Sequence, residues 1–104
     1  MLVLTTETVA GSEVPVSLGL VRGSTVRAKH IGSDIVASLR NIVGGEVKEY
    51  ASLLAGAREQ AMDRMIAEAT ALGADAIVAV RFQTSAIAQS ASEVMCYGTA
   101  VKLK

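Results

Sequence analysis

The chain has no tryptophan, one cysteine, one proline and one histidine, and its only aromatic residues are Tyr50, Phe82 and Tyr97. Each scarcity removes a class of function. Base-stacking platforms and flavin sandwiches need clustered rings, and three scattered ones do not supply them. A lone Cys96 makes no internal disulfide, which fits a reducing cytoplasm. One cysteine and one histidine leave no C-x-x-C, no H-x-x-x-H and no Cys/His cluster, so one chain holds no zinc-type framework. Excess charge is missing too. Ten basic residues face ten acidic ones, whereas a nucleic-acid binder carries a basic surplus or stripe. Only RGSTVRAKH (22–30), with Arg22, Arg27, Lys29 and His30, is locally basic, and it reads first as a solvated strand end. No stretch approaches the ~18 consecutive apolar residues of a membrane helix. The opening MLVLTTET lacks the basic region and apolar run of a signal peptide. These absences point to a cytoplasmic protein with no nucleic-acid or membrane partner.

Apolar residues are abundant, at 51% of 104 residues, and mean hydropathy is +0.43. The length suits one domain, residues 1–104, with one core. A domain of this size buries about 60–70% of its unfolded surface. The surplus belongs in a subunit interface, because large apolar patches on soluble proteins mark contact sites. The reading is therefore a homo-oligomer.

Period-two alternation in VPVSLGLVRGSTV (14–26) predicts a strand with Val14, Val16, Leu18 and Leu20 on one face. Gly19 and Gly23 mark a bulge or a close backbone approach. The opening LVLTT is a candidate short strand that could pair with a neighbouring subunit. GSDIVASLRNIVGG (32–45) predicts a helix, with Ser33 as N-cap and Ile35, Leu39 and Ile42 on one face. A second helix spans about 46–72. Its stripe is Val47, Tyr50, Leu54, Ala57, Ala61, Met65, Ala69 and Leu72, and Gly73 ends it as C-cap. Its many alanines invite close approach of a neighbouring element. ADAIVAVRFQTS (74–85) is a strand apolar on both faces at its centre. AIAQSAS (86–92) reads as a turn, and EVMCYGTAVKLK (93–104) as the last strand. The order strand–helix–helix–strand–strand gives an α+β fold, an antiparallel sheet with helices on one face. The opposite sheet face is left for a partner subunit.

Gly44 and Gly45 sit between the two predicted helices. The surrounding LRNIVGGE is neither a phosphate loop nor a dinucleotide fingerprint. It does present Gly45 and Glu46 at a helix N-terminus, where free N–H groups attract anions, with Arg40 and Asn41 one turn away. The glycines read first as a corner. The candidate ligand-binding set is Arg40, Asn41, Gly44, Gly45 and Glu46. Enzyme readings are poor: Cys96 has no base placed beside it, and Glu59 with Asp63 is an ordinary solvated helix face. The expectation is a non-enzyme.

RNIVGGEVKEYASLLAGAREQA (40–61), ALGADAIVAV (71–80) and YGTAVKL (97–103), in this order and spacing, resemble the YbjQ-like family of small bacterial proteins; TVRAKHIGSDIVASLR (25–40) fits as well. The resemblance covers nearly the whole chain. It implies an α+β subunit with dodecin-like topology that assembles into rings, commonly pentamers or a multiple; taken with the apolar surplus and the small-residue helix face, the expectation is a ring that binds a small ligand or ion at its subunit interfaces. No activity or cofactor is attached to the resemblance. The dodecin flavin site does not carry over, since it rests on an aromatic stack. The family's heavy-metal label implies soft ligands, and Cys96 with His30 from several subunits is the candidate metal set. Met95 and Cys96 are adjacent in a strand and point to opposite faces, so one chain alone does not converge them.

Overall fold

The computed structural model describes residues 1–12, 15–28, 48–88 and 91–103. Its centre is a long β-hairpin. Strand β3 (Ala76–Ala88) pairs antiparallel with β4 (Ala91–Lys102), which pairs antiparallel on its other side with β2 (Val16–Ala28). A two-residue strand, β1 (Leu2–Val3), lies beside β3, giving the sheet order β1-β3-β4-β2. Helix α1 (Lys48–Ala71) packs on one face, mainly over β2 and then β4. The fold is thus α+β, as expected. The predicted helix at 32–45 lies outside the described residues.

The sheet is mixed rather than purely antiparallel. β1 runs parallel to β3, with Leu2 opposite Ala76 and Val3 opposite Ile77. The following residues continue the contact. Leu4 N–H donates to the Ile77 carbonyl (2.8 Å), Val80 N–H to that of Leu4 (3.0 Å) and Ala79 N–H to that of Thr6 (2.8 Å). The opening segment therefore satisfies the edge of its own β3, where the sequence had suggested a neighbouring subunit. Ala79 has φ 54°, at a register shift between Val78 and Arg81.

Two strand predictions change. The hairpin is longer than read: Ala86 pairs with Ser92 and Ala88 with Ala91, so most of the expected 86–92 turn is strand. Its small residues have weak β-propensity, and cross-strand pairing overrides it. In β2 the predicted face of Val16, Leu18 and Leu20 is broken. A bulge between Ser17 and Gly19, with Gly19 at φ 112°, inserts one residue, and an inserted residue reverses the facing of everything after it. The buried positions are Val21, Gly23 and Thr25, while Leu20 is 64% exposed.

The helix stripe is as read in its middle. Ala57, Ala61, Met65 and Ala69 are fully buried at steps of four, with Leu54, Met62 and Ile66 beside them. They meet Val21, Ile77, Val80, Val94, Cys96 and Ala100 from the sheet. Leu72, counted in the stripe, is half exposed, because the helix has already turned. Gly73 at φ 78° donates to the Thr70 carbonyl, and Ala74 N–H to that of Ala69; this is the paired closure of a glycine-capped helix.

The other sheet face is partly covered. Ala76, Val78 and Val101 are buried there with Val9 and Leu103 packed against them. Further along, Leu20 and Val26 of β2 are exposed.

Candidate functional site

The sequence-predicted site residues divide unevenly. Arg40, Asn41, Gly44, Gly45, Glu46 and His30 lie outside the described residues. Cys96 is described and fully buried, on the helix-facing side of β4 between Gly23 of β2 and Phe82 of β3. Burial pushes its thiol above the ordinary value of 9.0; backbone hydrogen bonds from Gly23 and from Cys96 itself act the other way and are outweighed. A thiolate, the form that binds soft metals, is therefore disfavoured. Among the described residues no three His, Cys, Asp or Glu side chains converge on a point, and Met95 faces away from Cys96 by strand alternation. The described residues do not fit a metal centre.

A different place gathers charged groups. A groove of about 480 Å³ lies against the outer edge of β2, lined by Arg22, Gly23, Ser24, Arg64, Glu68, Glu93 and Met95. Three elements build it. β2 supplies Arg22 and Ser24, and β4 supplies Glu93 and Met95, with Ser24 opposite Met95 in register. α1 supplies Arg64 and Glu68, one helical turn apart on the same flank. The close seating of α1 on β2 is what brings Arg64 within reach: its Nη1 donates to the Ser24 carbonyl at 2.6 Å. That bond uses one of five guanidinium donors.

Two guanidinium groups face two carboxylates here, so the groove offers donors and acceptors with no net charge. Such a lining suits a small polar ligand carrying both signs, or a peptide-like backbone, better than a bare anion. Sequence reading singled out Arg22 only as part of a basic stretch. Arg64, Glu68, Glu93 and Met95 carry no local motif; three elements distant in sequence bring them together.

A second polar cluster lies deeper, between β2 and α1. Arg27 Nη2 donates to the Gln60 Oε1 at 2.9 Å. The Thr25 hydroxyl and Arg27 Nε are buried without a hydrogen-bond partner among the described residues. No helix among the described residues is long and apolar enough to cross a membrane.

An α+β fold with, among the described residues, a mixed four-stranded sheet and one covering helix is the class this geometry defines. A family model described as "Putative heavy-metal-binding" matches residues 1–104, and the chain belongs to this family, the YbjQ-like proteins. Its relatives named UPF0145 protein include one from Halorubrum lacusprofundi, 59% identical over 99 residues and covering 95% of each chain. Another, from Archaeoglobus fulgidus, is 56% identical over 104 residues, covering all of this chain and 96% of the relative. A third, from Dehalococcoides mccartyi, is 59% identical over 101 residues, 97% of each. The relatives include archaeal as well as bacterial proteins, a wider distribution than the bacterial one expected. Among solved structures, a protein of unknown function of the DUF74 family from Pediococcus pentosaceus shares the fold. Its TM-score is 0.68 at 17% identity, over 100% of this chain and 98% of that one.

Proposed function

We propose that the chain is a non-enzymatic binding or scaffold subunit of a cytoplasmic homo-oligomeric ring, a pentamer or a multiple of one, which holds a small polar ligand at its subunit interfaces. The groove at the outer edge of β2 carries this reading. It is walled by α1 on one side and by sheet side chains on the other, and its remaining side is where a neighbouring subunit would close it. The apolar side chains left about half exposed around the sheet, Leu20, Val26, Phe82 and Ile87, support the same assembly, since burying what each still exposes contributes roughly half of the ~1.5–3 kcal/mol of a full burial. Within the groove, Arg64 would hold a carboxylate or phosphate oxygen, and Glu68 or Glu93 an amine or hydroxyl.

Native mass spectrometry on protein purified without added metal or chelator tests this directly. The expected result is a ring carrying a discrete extra mass that is reduced in Arg64→Ala. Monomers at micromolar concentration would overturn the proposal.

The family's description favours a second reading, soft-metal binding by Cys96 and His30 from several subunits. It requires the buried Cys96 to become accessible. Metal content that is the same in the wild type and in a Cys96→Ser, His30→Ala double variant would remove it.

A further inference from the structure

We infer that the groove of the preceding reading, on which this inference rests, takes a free α-amino acid with a neutral polar side chain. Its carboxylate lies on Arg64, its ammonium on Glu93, and its side chain runs past Met95 toward Arg22 and Glu68.

The groove wraps the edge of β2 and does not lie beneath α1. Glu93 and Met95 alternate with the buried Val94 and Cys96, so their side chains belong to the sheet face turned away from the helix. Arg22 and Ser24 share that face. They stand opposite Tyr97 and Met95, and residues directly opposite in a ladder point the same way. Arg64 enters from the other side, crossing the strand edge to donate to the Ser24 carbonyl.

Four charged side chains share this lining, yet none pairs with another. Among the described residues the one ion pair is Lys102 with Asp75. Arg64 and Glu68 have the one-turn spacing at which helix side chains pair, but in the weaker order, with the cation N-terminal. Arg64 turns to Ser24 instead. Glu93 stands opposite Val26, four residues from Arg22 and so about 14 Å away along the strand. The lining holds its charges apart, and their remaining hydrogen-bonding capacity is open to a ligand.

Their order along the groove selects the ligand. α1 runs opposite to β2, since Gln60 meets Arg27 and Arg64 meets Ser24. One further helical turn, about 6 Å, brings Glu68 level with Arg22, about 7 Å along β2 from Ser24. That end offers donors and an acceptor with no net charge, which suits a carboxamide or a hydroxyl. On the other side of Ser24, Glu93 is level with Val26 and has no counter-charge beside it in the lining. The groove thus presents an unopposed carboxylate, a guanidinium about 7 Å farther on, the apolar Met95 next to it, and a neutral polar end. An ammonium and a carboxylate on one carbon fit the first two positions. The guanidinium fork takes the carboxylate through two parallel bonds, and the ammonium gives Glu93 three donors. A bare anion would be repelled by Glu93, and a bare cation by Arg64. The volume, about 480 Å³, lies in the range of small-molecule sites.

Isothermal titration calorimetry at low salt on the full chain, with L-glutamine as probe and far-UV circular dichroism as fold control, tests the inference. L-glutamine should bind. N-acetyl-L-glutamine and L-glutamine α-amide, each lacking one of the two charges, should bind about 10–100-fold more weakly. Arg64→Gln and Glu93→Gln should weaken L-glutamine by a similar factor. Arg64 is exposed and Glu93 half-buried, so both variants keep the core; Arg22→Gln, on the exposed sheet face, should bring L-glutamine down to the affinity of L-leucine. Equal binding of the acetylated form, or inorganic phosphate binding with the same dependence on Arg64, would make the groove an anion site and overturn the inference. L-leucine binding wild type as tightly as L-glutamine would overturn the side-chain assignment. Folded wild type that ignores L-glutamine but carries another discrete mass in native mass spectrometry would overturn the amino-acid assignment and leave the ligand reading standing. Wild type with no retained mass and no affinity for any probe would overturn both.

Discussion

Gly23 of β2 lies directly against the backbone of α1 at Ala61: a Cβ built on Gly23 would overlap the Ala61 carbonyl oxygen and crowd the Met65 nitrogen. Backbone cannot give way as a flexible side chain can, so the helix must lift. Gly23→Ala should therefore cost about 1–3 kcal/mol, the range for overpacking a tight core. For a chain of about 100 residues that lowers Tm by roughly 4–8 °C per kcal/mol. Urea unfolding of the variant checks it, and an unchanged midpoint would mean that α1 sits farther from β2 than the structure places it. The same displacement would carry Arg64 away from the Ser24 carbonyl, so the groove should lose its shape with the packing.

What the sequence disclosed follows from how local each signal is. Ala57, Ala61, Met65 and Ala69 recur every four residues, and that spacing alone identifies the buried stripe of α1. Gly73 announces the helix end, and AIVAV announces a strand covered on both faces. The facing of β2 was misread because one inserted residue at Leu18 reverses the alternation, and glycine signals a bulge without saying which residue is the extra one. The parallel pairing of Leu2 and Val3 with β3 joins segments more than seventy positions apart, which no local pattern encodes. The site was less legible still. Arg22, Arg64, Glu68 and Glu93 look like unrelated surface charges until α1 settles on β2 through Gly23. The candidate residues chosen for local patterns fall outside the described residues, apart from Cys96, whose neighbours in space are apolar.

Thr25 offers a test of the core's polar accounting. It is 3% exposed, and its hydroxyl has no hydrogen-bond partner among the described residues. A buried unsatisfied hydroxyl costs about 1–3 kcal/mol, and replacing it by an apolar group of similar shape removes that cost. Thr25→Val keeps the β-branched outline that suits a strand. The expected outcome is a gain of about 1 kcal/mol in denaturant unfolding. A loss would show that the hydroxyl is bonded in the folded protein, and Arg27→Met would then separate its contribution from that of the neighbouring guanidinium.

Cys96 carries the pH dependence that the described residues make visible. Its thiol is raised above 9.0 in the folded chain, chiefly because burial disfavours the thiolate, while the unfolded chain exposes it to water. The folded state thus favours the protonated form. Its contribution is fully present below the unfolded value and is lost as pH rises from about 9 toward the folded value, because there the unfolded state releases its proton first. One proton corresponds to a slope of at most ~1.4 kcal/mol per pH unit. The measurement is a difference, which isolates the thiol: stability of wild type and Cys96→Ala compared between pH 7.5 and about 10.5. The wild type should fall more steeply over the upper part of that range. In the same protein, a thiol reagent at pH 8 should label Cys96 no faster than the chain opens. Rapid labelling, or parallel pH curves for the two proteins, would place the thiol at the surface and restore it as a metal ligand.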